Sequence, residues 1–175
     1  LPEAIAELLA EPDHSEEQAK ARREQVDEHL ASLHRRGLLV REVETLASGR
    51  ILFYRTLPTV RLFSQNYLLQ TWPATELQIR MAQTYDNLLS NIYDEINRAA
   101  WASFLILRCR EDLETCFAWL APKAAGWYAN RLGWVLQRIG DRLSGQVWME
   151  QALELAQGKD RDLESHLINN MAGVY

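Results

Sequence analysis

The feature that most constrains this chain is a glycine inside a helical pattern. In the stretch NRLGWVLQRIGD, residues 130–141, the apolar residues Leu132, Val135, Leu136 and Ile139 recur at helical spacing. Gly133 sits among them, where glycine costs about 1 kcal/mol relative to alanine. A helix carrying that cost needs a compensating contact. The contact that only glycine permits is a second helix passing too close for any Cβ. Gly133 therefore predicts close helix-on-helix packing, and an array of helices to supply it.

The rest of the chain divides by period. Residues 2–10 read as a short helix with Ile5, Leu8 and Leu9 on one face, broken by Glu11-Pro12-Asp13-His14. Ser15-Glu16-Glu17-Gln18 has the form of a capping box, and a helical stretch (one helix or two short ones) runs on to about Arg36. Val26, Leu30 and Leu33 form its inner stripe, and Gly37 supplies a left-handed C-cap. Then LLVREVE and RILFYRTL, rich in β-branched and aromatic residues around the turn-like TLASG, predict a hairpin with strands near 38–44 and 50–56. Pro58 opens a further helix with Val60, Phe63 and Tyr67 inward. Helices followed by a β-hairpin in so short a span are the economy of a winged-helix domain, expected over residues 1–72.

Beyond TWPAT the strand signal ends. Thr75-Glu76-Leu77-Gln78 repeats the capping-box pattern and opens a helix running to about Arg98. Helices are predicted over 99–110, over 112–121 with Pro122 as its stop, over 127–139 and over 142–157 before Gly158. A last one starts near Asp160 and is still running at Tyr175. Helix hairpins in series predict a solenoid over 73–175. The fold class is thus mainly α: a winged-helix domain with a small β-hairpin, followed by an α-α superhelix. A start at Leu1 without methionine and an end within a helical pattern suggest a piece of something longer.

Residues 126–158 resemble a tetratricopeptide repeat (TPR). The matching positions are Leu132-Gly133, Leu136, Gly140-Asp141, Gly145, Met149 and Ala152, with WMEQALELA closing the second helix. In that family small residues stand where helices cross most closely, so the resemblance implies that Gly133 and Gly145 face helices and that Gly140 lies in the inter-helix turn. INNMAGVY aligns with ANRLGWVL and places Met171 over Leu132 and Ala172 over Gly133, an offset of 39 residues against the family's usual 34. This longer period resembles the variant repeats of kinesin light chains and of bacterial signalling ATPases. Residues 99–121 would be a degenerate preceding hairpin.

The first half, HLASLHRRGLLV followed by the hairpin and YRTLPTVRLFSQNYL, resembles the winged-helix segment of STAND-class signalling ATPases. In those proteins it follows an NB-ARC nucleotide-binding module and precedes a repeat sensor. Leu57 stands where that family often carries histidine, so a nucleotide-sensing histidine is not implied. The resemblance implies a cytoplasmic, non-catalytic coupling element with an upstream nucleotide module as its partner in cis. ATP would be bound by that module, because this chain has no G-x-x-x-x-G-K-[ST] loop and no cofactor is expected in it.

Carrying the repeat family's groove positions over gives Trp127, Asn130, Trp134, Gln137 and Arg138, with His166, Asn169, Asn170 and Gly173 in the second copy. Paired aromatics with nearby amides suit a protein or peptide ligand. Trp134 occupies the position of a clamp asparagine, so a carboxylate clamp of the family's kind is not matched. The competing reading is that Trp127 and Trp134 pack against the preceding helix pair.

Other chemistries find little support. The formal charge of −5 divides as −2 over residues 1–72 and −3 over the rest, without the basic excess that phosphate neutralisation needs. Glu24, Gln25, Asp27 and Glu28 near the start of the candidate recognition helix argue against nucleic acid. Arg35, Arg36 and Arg41 could touch a phosphate backbone, which keeps a DNA-binding regulator as the alternative. His14, His29, His34 and His166 have no metal-ligand spacing, and no nucleophile elbow or triad pattern is present, so neither metal nor catalysis is expected. Cys109 and Cys116 are expected on different helices or helix ends, as buried thiols in a reducing compartment. The longest apolar run, 99–107, interrupted only by Ser103, is nine residues, against about 20 for a membrane span.

Overall fold

The computed structural model describes residues 16–46 and 49–172. Among them are seven helices and one hairpin: α1 (Glu16–Arg35), β1 (Leu39–Leu46), β2 (Gly49–Thr56), α2 (Pro58–Thr71), α3 (Ala74–Glu95), α4 (Ala100–Phe117), α5 (Pro122–Arg138), α6 (Arg142–Ala156) and α7 (Arg161–Ala172). The protein is mainly helical. It divides into two compact units, Leu1–Thr84 and Tyr85–Tyr175, and the division falls within α3. The helix expected at 2–10 and the Ser15 cap lie outside the described residues, as does Gly173. Among the described residues no helix is long and apolar enough to cross a membrane.

In the N-terminal unit, α1 ends at Gly37, whose φ of +73° suits glycine, and the Leu38 amide reaches back to the Leu33 carbonyl at 3.0 Å. The strands pair antiparallel from Leu39↔Thr56 to Leu46↔Gly49. They run farther than TLASG suggested, with Thr45 paired to Arg50 and Leu46 to Gly49. Val26, Leu30 and Leu39 form a small core with Tyr54 against it. Leu33, expected in that stripe, is 38% exposed. The larger departure is α2, where Phe63 is 72% and Tyr67 61% exposed, although both were expected to face inward. Helical spacing says that apolar residues share a face and not that anything covers it.

The C-terminal unit corrects the expected element boundaries. Residues 99–121 are not a hairpin, because α4 runs unbroken through Arg110-Glu111-Asp112, where Arg110 pairs with Glu114 one turn on at 2.8 Å. The proposed degenerate repeat within 99–121 is therefore not there. Cys109 and Cys116 share this one helix, two turns apart, with Cys116 buried and Cys109 half-buried, both as free thiols. Pro122 opens α5 rather than only closing the helix before it, a position whose missing N–H is harmless.

α5 is the centre of the unit. Nine of its 17 residues are buried, among them Ala125, Tyr128, Ala129, Leu132, Val135 and Leu136, too many for one face. The fully buried Tyr128 satisfies its hydroxyl on the Leu113 carbonyl at 2.8 Å. Ala129, Met149, Ala152, Ala156, Leu163 and Leu167 form the core joining α5, α6 and α7. The α5–α6 turn contains Gly140 at φ +96°, and Asp141 caps α6 by accepting from the Ser144 amide at 3.2 Å.

At the α5–α6 crossing the two glycines face each other. A Cβ on Gly133 would stand 2.7 Å from the Gly145 carbonyl oxygen, 2.8 Å from Met149 Cγ and 3.0 Å from the Met149 nitrogen. A Cβ on Gly145 would stand 2.7 Å from the Gly133 carbonyl oxygen and would strike Gln137 Cγ. The glycine inside the helical pattern is explained by this backbone-to-backbone approach.

Candidate functional site

Alternate helices of the C-terminal unit meet through side chains. Between α3 and α5, the Arg131 guanidinium binds the Asp86 carboxylate at 2.7 Å, and Tyr93 and Trp134 pack with ring centroids 4.9 Å apart. Between α5 and α7, the Asn170 amide donates to Asn130 Oδ1 at 3.0 Å, and Trp127 meets His166 edge-on at 5.2 Å. The intervening helices α4 and α6 are linked by other residues. Phe117 packs edge-on against Trp148 at 4.9 Å, and Arg110 reaches Asp141 at 2.6 Å and Ser144 at 2.9 Å.

This geometry distributes the expected groove residues unevenly. Asn130 is buried with only 2% exposure, and Asn170 is its partner. Asn169 and His166 are exposed on α7, beside that pair. Trp127 meets His166 of α7, whereas Trp134 meets Tyr93 of α3, so the two tryptophans do not make one aromatic pair. Arg138 is exposed, its guanidinium carbon 4.5 Å from the Trp134 ring centroid. Gln137 belongs elsewhere, because its amide lies 3.4 Å from the Met149 sulfur and its stem fills the space beside Gly145. Among the expected packing residues, Leu132, Gly133, Gly145 and Ala152 are buried as a close crossing requires. Ala172 is the last residue of α7, and Met171 packs against the core.

Several members of the face had no signal in the sequence. Asp86 and Arg131 are 45 residues apart, and Tyr93 carries nothing that marks it as the partner of Trp134. Asp160, which caps α7 by accepting from the Leu163 amide at 3.0 Å, was legible only as a helix start. Its carboxyl is held below the ordinary aspartate value by the Leu163 amide first, with the Trp127 side chain and the Lys123 charge adding to the effect.

Burial governs the Tyr85, Tyr128, Cys109 and Cys116 side chains of the unit. The Tyr85 hydroxyl donates to Asp112 at 3.0 Å and is pushed up by burial first and then by that carboxylate. Burial also pushes the Cys116 thiol up to about 12 and raises Cys109, the opposite of what an activated thiolate needs. Among the described residues no group of three or more His, Cys, Asp or Glu side chains could hold a metal ion. The contacts joining α3, α5 and α7 are instead made of an amide pair, aromatic rings and an ion pair, with the Arg138 guanidinium exposed over the Trp134 ring.

No protein-family model matches this chain, and no curated protein or solved structure matches it.

Proposed function

We propose that the C-terminal unit is a tetratricopeptide-like module that binds a peptide or protein segment along α3, α5 and α7. In this reading the N-terminal unit is a winged-helix element that couples the module to a nucleotide-binding domain preceding it in the same protein, as in the STAND-class signalling ATPases. The chain is then a non-catalytic, cytoplasmic regulatory part with no cofactor of its own, and any ATP is bound upstream.

The observation that carries the reading is the alternation of contacts. Asp86–Arg131 and Tyr93–Trp134 join α3 to α5, and Asn130–Asn170 and Trp127–His166 join α5 to α7, while α4 and α6 meet through a separate set. Stacked helix hairpins that present every second helix on one side produce such a pattern. The Gly133–Gly145 approach supports it, since the resemblance requires small residues at that crossing.

Selection of peptides from a displayed library against the 175-residue chain tests the binding half. Selected peptides should lose binding to Asn169→Arg and Arg138→Glu, which alter exposed positions of the face. They should keep binding to Leu143→Arg on α6, at a residue 81% exposed. Peptides indifferent to the face variants would sink the proposal. The coupling half requires a strand followed by G-x-x-x-x-G-K-[ST] in the reading frame before Leu1, and its absence there would remove the ATPase.

One observation favours a DNA-binding regulator instead. Arg35, Arg36, Arg41, Arg55 and Arg61 are all exposed around the base of the hairpin. The exposed Glu24, Asp27 and Glu28 on α1 oppose it. Affinity for duplex DNA that falls steeply with salt would select this reading over the first.

A further inference from the structure

We draw no further inference here: the strongest candidate, the exposed apolar face that Leu62 and Phe63 form on α2 of the N-terminal unit, carries nothing, because nothing among the described residues shows what covers it.

Discussion

Gly133→Ala is the substitution whose effect the structure fixes most tightly. The new methyl carbon would stand 2.7 Å from the Gly145 carbonyl oxygen and 3.0 Å from the Met149 nitrogen, where ordinary contact begins near 3.4 Å. Both atoms are backbone, so no rotamer change relieves the clash, and α5 and α6 must part by about 0.7 Å, the difference between those contact distances. A gap of that order forfeits about a quarter to a half of the attraction between facing atoms, here across the core of Ala129, Met149 and Ala152. Overpacking against an unyielding neighbour costs about 3 kcal/mol. Alanine returns about 1 kcal/mol of helix propensity, so the net loss is about 2 kcal/mol. Urea unfolding followed by tryptophan fluorescence suits the measurement, because five of the six tryptophans lie beyond residue 100. The midpoint should fall by about 1 M for a slope of about 2 kcal/mol/M. Gly126→Ala is the control: its Cβ would meet the end of the Leu163 side chain at 2.7 Å, which can rotate away, and Leu155 Cβ at an ordinary 3.7 Å, so its midpoint should stay nearly unchanged. If Gly133→Ala unfolds at or above the wild-type midpoint, the close crossing is not what keeps glycine there.

Three further outcomes follow from named contacts. Asn170→Ala should destabilise the chain by about 1–2 kcal/mol, because it strands the buried Asn130 carbonyl; a double-mutant cycle with Asn130→Ala should show strong coupling, and additive costs would contradict the pairing. Asp141 is held below its ordinary 3.8 by Ser144 first and then by Arg110, so its contribution is full above that value and is lost as pH falls through the lowered one. The stability gap between wild type and Asp141→Asn should therefore narrow below about pH 4, and a gap that widens on acidification would refute the assignment. Cys116, buried and with its thiol pushed up to about 12, should react with a disulfide reagent at pH 8 far more slowly than half-buried Cys109, as Cys116→Ser and Cys109→Ser chains would reveal by mass.

The parts of this fold that were legible in the sequence are those whose cause is local. A glycine within an apolar helical period announces a close neighbour, and Gly133 and Gly145 supply one for each other. Gly37 and Gly140 mark left-handed helix ends because few other residues adopt that backbone. The misread parts are those where one local signal serves two outcomes. Pro122 ends one helical pattern and begins another, and Arg110-Glu111-Asp112 resembles a polar break although all three residues sit well in a helix, the first tied to Glu114. The spacing of Val60, Phe63 and Tyr67 is truly helical, yet period carries no information about what lies opposite, and two of the three are exposed.

The candidate face was the least legible, for a related reason. Its residue types could be proposed from a resemblance, but its partners are set by tertiary contacts between distant positions. Trp134 and Trp127, seven residues apart on one helix, look equivalent in the sequence. In the structure one is committed backward to Tyr93 and the other forward to His166. That split has a consequence for recognition. A ligand lying along α5 would meet an indole already stacked under Arg138 at one end. At the other it would meet an indole set edge-on against His166 and bordering a cleft lined by both lysines and aspartates. The two ends differ in charge placement and in available volume, so a peptide bound there has one favoured direction, and reversing its sequence should abolish binding rather than merely weaken it.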